Sequence, residues 1–181
     1  GRAMHVKADG SGSVVNLSAL QNFLDQSDNA ASFGFQGISS LTAQAGGVIQ
    51  APLLTTLSSV GLVLNGTGTL PYAQITSLKD GLVNLSGADY VFPNLINADG
   101  TDFTISGVNA DLSNLTSLIG GSVTVNGGNV DLRRVTNVSK SDLTLSGGTL
   151  NLAAVRSIDG ASFFVSGGST LSLSLPTAYT H

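Results

Sequence analysis

The apolar positions of this chain alternate in short runs that return at a fixed interval. In the segment Thr149 to Gly168 they fall at Leu150, Leu152, Val155, Ile158, Phe163 and Val165. The preceding copy places Val130, Leu132, Val135, Val138, Leu143 and Leu145 there, and the one before it Ala110, Leu112, Leu115, Leu118, Val123 and Val125. Alternation at both ends of each copy has the period of a strand. The steps of three between them fit a bend or a third short strand. The same register carries Asn84-Leu85-Ser86-Gly87, Thr104-Ile105-Ser106-Gly107, Thr124-Val125-Asn126-Gly127, Thr144-Leu145-Ser146-Gly147 and Phe164-Val165-Ser166-Gly167. Gly-Gly and Asp-Gly pairs mark the corners. Helical periodicity is missing, in keeping with the absence of Glu and the scarcity of Lys.

One such unit of about 20 residues cannot cover its own apolar face, but stacked units can. The pattern predicts an all-β, single-domain parallel β-helix of about eight coils, roughly 40 Å long at the inter-strand spacing of about 4.8 Å. Its hand is expected to be right, as strand crossovers nearly always are. Regular coils are expected over about 47–175, ending in a strand with Leu171, Leu173 and Leu175 ahead of Pro176. A terminal coil is an open sheet edge. The run Asn16 to Asp25 breaks the pattern, which predicts an N-terminal cap around 14–31 with one or two helical turns. Residues 1–6, with Gly1-Arg2-Ala3-Met4-His5, read as a cloning remnant, and 7–181 as the domain.

Composition narrows the function. The 181 residues include 11 Asp, no Glu, 7 Lys+Arg and no Cys, for a net charge of −4. Ser, Thr and Asn number 53, so the surface is neutral and rich in hydroxyls and amides. Seven cations on an acidic chain argue against nucleic acid, which needs clustered positive charge. Without Cys there is no disulfide framework, thiolate metal site or Cys nucleophile. The two His, His5 and His181, stand at opposite ends, so no interior imidazole serves as base or zinc ligand. No run approaches the 18 apolar residues of a membrane span. The expected location is secreted or cell-surface.

The register also assigns neighbours. One outward column reads Val91, Asp111, Asp131, Asn151; the column before it reads Asp89, Asn109, Asn129, Thr149; the column after it reads Pro93, Ser113, Arg133, Ala153. Arg134 and Arg156 lie at the border. Tyr72, Tyr90 and Phe92 fall inward, although a slip of one residue would turn Tyr90 out beside Asp111. Carboxylates, amides and guanidinium groups pair with the vicinal hydroxyls of sugars. The candidate carbohydrate-binding set is therefore Asp89, Tyr90, Asn109, Asp111, Asn129, Asp131, Arg133, Asn151 and Arg156. The alternatives are solvated ladders with no ligand, or a calcium site on Asp111, Asp131 and Asn129, whose donor count falls short of six unless water completes it. No other cofactor is expected. Thr104, Thr124 and Thr144 form a short threonine ladder of the kind that binds ice, interrupted by an exposed Phe164. Asp111 and Asp131 on adjacent rungs would stand about 5 Å apart, near the spacing of a retaining glycosidase pair. No long insertion offers the walls of a catalytic cleft, so a non-enzymatic role is expected.

The segment Leu115-Thr116-Ser117-Leu118-Ile119-Gly120-Gly121-Ser122-Val123-Thr124-Val125 resembles the rungs of receptor L domains and of solenoids in large secreted bacterial proteins. The Cys-free, Asp-only, hydroxyl-rich helix of this size also resembles the β-helical carbohydrate-binding modules of family 89, attached to gut-bacterial xylanases. That resemblance implies a non-catalytic rod that binds xylan and targets a covalently linked glycoside hydrolase, with no nucleic-acid or membrane partner. The runner-up expectation is a structural or adhesive segment of a bacterial surface protein.

Overall fold

A computed structural model describes residues 2–26 and 37–173. It is a β-solenoid built from parallel strands, with no helix among the described residues. Each coil contributes three segments. The first segments form an eight-stranded parallel sheet: β1 (His5–Asp9), β4 (Ser39–Gln44), β7 (Val60–Leu64), β9 (Leu82–Ser86), β11 (Asp102–Ser106), β13 (Ser122–Asn126), β15 (Asp142–Ser146) and β17 (Ser162–Ser166). Burial alternates along the middle strands of this sheet, so that in β11 Phe103 and Ile105 point inward while Asp102, Thr104 and Ser106 face out.

The second segments begin as β2 (Val14–Asn16) and β5 (Val48–Gln50), bridge to Thr69, and resume as a five-stranded sheet. Its members are β10 (Tyr90–Val91), β12 (Ala110–Asp111), β14 (Asn129–Asp131), β16 (Thr149–Leu152) and β18 (Thr170–Leu173). The third segments start as β3 (Asn22–Leu24), β6 (Thr56–Ser58) and β8 (Ser77–Lys79), then shrink to single parallel bridges at Asn97, Ser117, Asn137 and Ser157. Those bridges are the third short strand that the steps of three foreshadow.

The stacked interior is one continuous apolar core. Every apolar position named for the two copies ending at Val125 and Leu145 is at most 2% exposed. Such side chains each contribute roughly 1.5–3 kcal/mol on burial, which no single coil could secure alone. The final described coil is different: Phe163 is only partly buried and Val165 is 47% exposed. Tyr72 is partly buried and packs against the core beside Phe92, with ring centroids 4.9 Å apart.

Two expectations are corrected. The segment around Asn16–Asp25 is not helical: it holds β2 and β3 and continues the first coil, so coils begin at His5 rather than near 47. His5 and Val6 accordingly belong to β1. The pattern was hard to see there because β1 and β4 are separated by 35 residues instead of about 20, as His5 bonded to Ser40 shows. Residues 27–31 of the expected cap, and Leu175, Pro176, Tyr179 and His181, lie outside the described residues.

Candidate functional site

Corners between segments need a backbone N–H satisfied where the sheet ladder stops. In this chain Asp and Asn side chains do it. The Oδ1 of Asp111 accepts from Ser113 N at 2.9 Å, that of Asp131 from Arg133 N at 3.0 Å, and that of Asn151 from Ala153 N at 3.2 Å. Each is an Asx turn, in which the side chain mimics a turn carbonyl. The register stacks the three: Asp111 pairs with Asp131, and Asp131 with Asn151.

Two residues earlier runs a second ladder, on the outer surface. Asp89 accepts from Asn109 N at 2.7 Å and Asn109 Nδ2 at 2.9 Å. Asn109 Oδ1 in turn accepts from Asn129 N and Nδ2, and Asn129 Oδ1 accepts from Thr149 Oγ1 at 2.7 Å. Between the two ladders the small or apolar Ala110 and Val130 sit at the bottom of an open groove of about 350 Å³. Its rims are Asn109, Asn129 and Thr149 on one side and Asp111, Asp131 and Asn151 on the other. It spans three consecutive rungs and so runs along the rod.

The charge distribution is local. Arg133 Nη2 bonds Asp131 Oδ2, and both side chains remain partly open to solvent. That carboxylate raises the Arg133 guanidinium further above its ordinary range. The Ser113 hydroxyl and N–H, and then Arg133, hold the Asp111 carboxyl below the usual carboxylate range. Asn109 does the same for Asp89 through its backbone and side-chain N–H groups. Asp111 is therefore ionised, whereas a general acid needs its pKa raised.

Of the nine residues proposed from sequence, Asn109, Asp111, Asn129, Asp131 and Asn151 line this groove together, and Arg133 adjoins it through Asp131. Asp89 caps the end of the outer ladder, one rung beyond. Arg156 lies farther round the coil, one rung on from Thr136, whose carbonyl accepts its N–H at 2.8 Å. Tyr90 is the correction: it is 5% exposed, pairs with Ala110 in register, and its hydroxyl donates to Ser86 O at 2.7 Å. The inward register holds because turning the ring out would expose it and empty its place against Tyr72, 5.6 Å away between centroids. Among the described residues no three Asp or His side chains converge as a metal site.

Sequence reading did not single out a second shallow depression, of about 370 Å³, on the N-terminal coils of the same segments. Its lining includes Ile49, Pro52, Thr69 and Pro71 and is mostly apolar. Pro52 and Pro71 recurring near the same corner were the available signal. The chain matches no family model, curated protein or solved structure with which it was compared.

Proposed function

We propose that this chain is a non-catalytic carbohydrate-binding module, with xylan as its ligand, secreted and linked to a glycoside hydrolase that it brings to plant cell-wall polysaccharide. The observation that carries the reading is the groove: five polar residues from three successive rungs, selected from sequence for sugar contact, line one open channel along the rod. The rung spacing of about 4.8 Å is close to the length of one pyranose unit in an extended chain, so two rungs can each offer one sugar an amide and a carboxylate, from Asn109 with Asp111 and Asn129 with Asp131, and the third a hydroxyl and an amide, from Thr149 and Asn151. The side-chain oxygens of Asp111 and Asp131 accept from hydroxyls, and Asn and Arg133 donate to them. An open groove in which the Asp111 carboxyl is held below the usual range suits binding rather than hydrolysis.

A second reading, a structural or adhesive segment without its own ligand, is favoured by one fact: both ladders already spend hydrogen bonds on their own backbone. Retention on insoluble xylan, cellulose, mannan and chitin, with and without EDTA, separates the two. Selective retention on xylan is expected. Asp131→Asn, which keeps the Asx turn, and Arg133→Ala should each weaken retention several-fold and shift stability by less than about 1 kcal/mol, as for exposed ion pairs. Failure of all four polysaccharides to retain the protein would leave the structural reading. Loss of retention with EDTA would bring calcium into the groove.

A further inference from the structure

Three of the seven cationic residues of this acidic chain lie near one another: Arg133 and Arg134 in the turn that follows Asp131 of the groove, and Arg156 one rung on and farther round the coil, where it meets Thr136. All three are exposed. Arg133 pairs with Asp131, whereas neither Arg134 nor Arg156 forms an ion pair with a carboxylate among the described residues. Arg134 is nonetheless held in place. Its Nη1 donates to Asn114 Oδ1 at 3.1 Å, and Asn114 Nδ2 is tied to Pro93 O at 2.8 Å. A neutral amide thus orients a guanidinium that no carboxylate among the described residues pairs with. Arg156 stands on the following rung, two positions farther round, where its N–H reaches Thr136 O.

We infer that this corner is an anionic subsite of the same groove, and that the glycan it takes carries carboxylate substituents, as uronate-bearing polymers do. The inference rests on the groove reading. The rims of the groove supply acceptors and donors for backbone hydroxyls. A substituent projecting sideways from a chain in the groove passes over the corner, where a planar carboxylate meets the planar, permanently charged fork of Arg134. Arg156 on the next rung lengthens the positive stripe, so a substituent need not fall at a single backbone unit. A sulfate ester would present similar charge and oxygen geometry, and is distinguished by experiment.

The test is affinity electrophoresis in gels containing glucuronoxylan, the same polymer after chemical reduction of its carboxyls, or sulfated xylan. The wild type is expected to bind glucuronoxylan about fivefold more tightly than the reduced polymer, a difference of the size exposed charge pairs give, and to lose that preference in high salt. The double variant Arg134→Gln/Arg156→Gln should bind the two polymers equally, with an unchanged thermal melt showing that it is folded. Equal binding of both polymers by the wild type, or a preference that survives the double substitution, overturns the subsite and leaves the groove reading standing. Binding to sulfated xylan alone overturns the carboxylate assignment in favour of sulfate. Binding to none of the three overturns the subsite together with the groove reading.

Discussion

Asp111, Asp131 and Asn151 share a column for a backbone reason: each must accept the N–H two residues on at a corner. Asn65 and Asn137 do the same at other corners. The richness in Asn and Asp is therefore first a property of the corners, and the groove exploits oxygens already gathered there. Glycine answers the opposite need. Gly128 sits at φ +89°, and a Cβ on it would lie 1.9 Å from Val108 O. Gly128→Ala is expected to cost about 2–5 kcal/mol from left-handed strain and collision with backbone, read as a lowered urea midpoint. One coil on from Gly120, at φ +71°, Lys140 adopts φ +60°. Replacing it, Lys140→Gly, should stabilise by about 0.5–1 kcal/mol, the strain relieved less the chain entropy glycine adds. An unchanged or lowered midpoint would show that the lysine side chain compensates for its strain.

At the scale of an element, the third segments are weakest in backbone pairing, since consecutive coils from Asn97 to Ser157 meet there through single bridges. Side chains replace the missing ladder. Asp99 Oδ1 accepts from Ser117 Oγ at 2.6 Å and Ile119 N at 2.9 Å, and its Oδ2 from Asn97 Nδ2 at 2.8 Å. Partial burial pushes the Asp99 carboxyl up, but these bonds and nearby Lys79 outweigh it and hold it below the ordinary range. A carboxylate lowered in the folded state contributes fully above its unfolded pKa, and the contribution fades as pH falls through the folded value. Asp99→Asn places an amide donor against Asn97 Nδ2 and should cost about 1–2 kcal/mol near neutrality. Thermal melts across pH should show the gap to wild type narrowing below about pH 4. A gap independent of pH would mean that packing, not the charge, is what the substitution disturbs.

Over the whole molecule, stability is shared between neighbouring coils rather than pooled. The interior columns are sealed in the middle of the rod, where Val125 and Leu145 are fully buried, and open at the last described coil, where Phe163 is only partly buried and Val165 is 47% exposed. Native-state hydrogen exchange is expected to show the strongest protection in β11, β13 and β15 and the weakest in β17 and β18, graded along the rod. Uniform protection throughout would show instead that all coils open as one unit. The groove at β12, β14 and β16 adjoins the coils expected to be best protected, so under the proposed function its surface should change little on contact with ligand.

Sequence alone determined the coil. A repeat of about 20 residues with period-two ends dictates parallel stacking, because no other arrangement buries every copy of the same apolar columns. Once strands are stacked in register, residues one repeat apart must be neighbours, so the Asn109–Asn129 and Asp111–Asp131 pairs were legible without coordinates. The first coil was not, because residues inserted between β1 and β4 broke the interval and left Asn16–Asp25 looking foreign to the pattern. Tertiary structure also decided what periodicity leaves open. It kept Tyr90 inward, as the register reads, and removed the one-residue slip that a two-residue strand leaves open, because the ring packs against Tyr72. And it showed that the polar columns are tied to the backbone, because a hydrogen bond between rungs depends on where the chain turns, which the pattern of apolar positions does not encode.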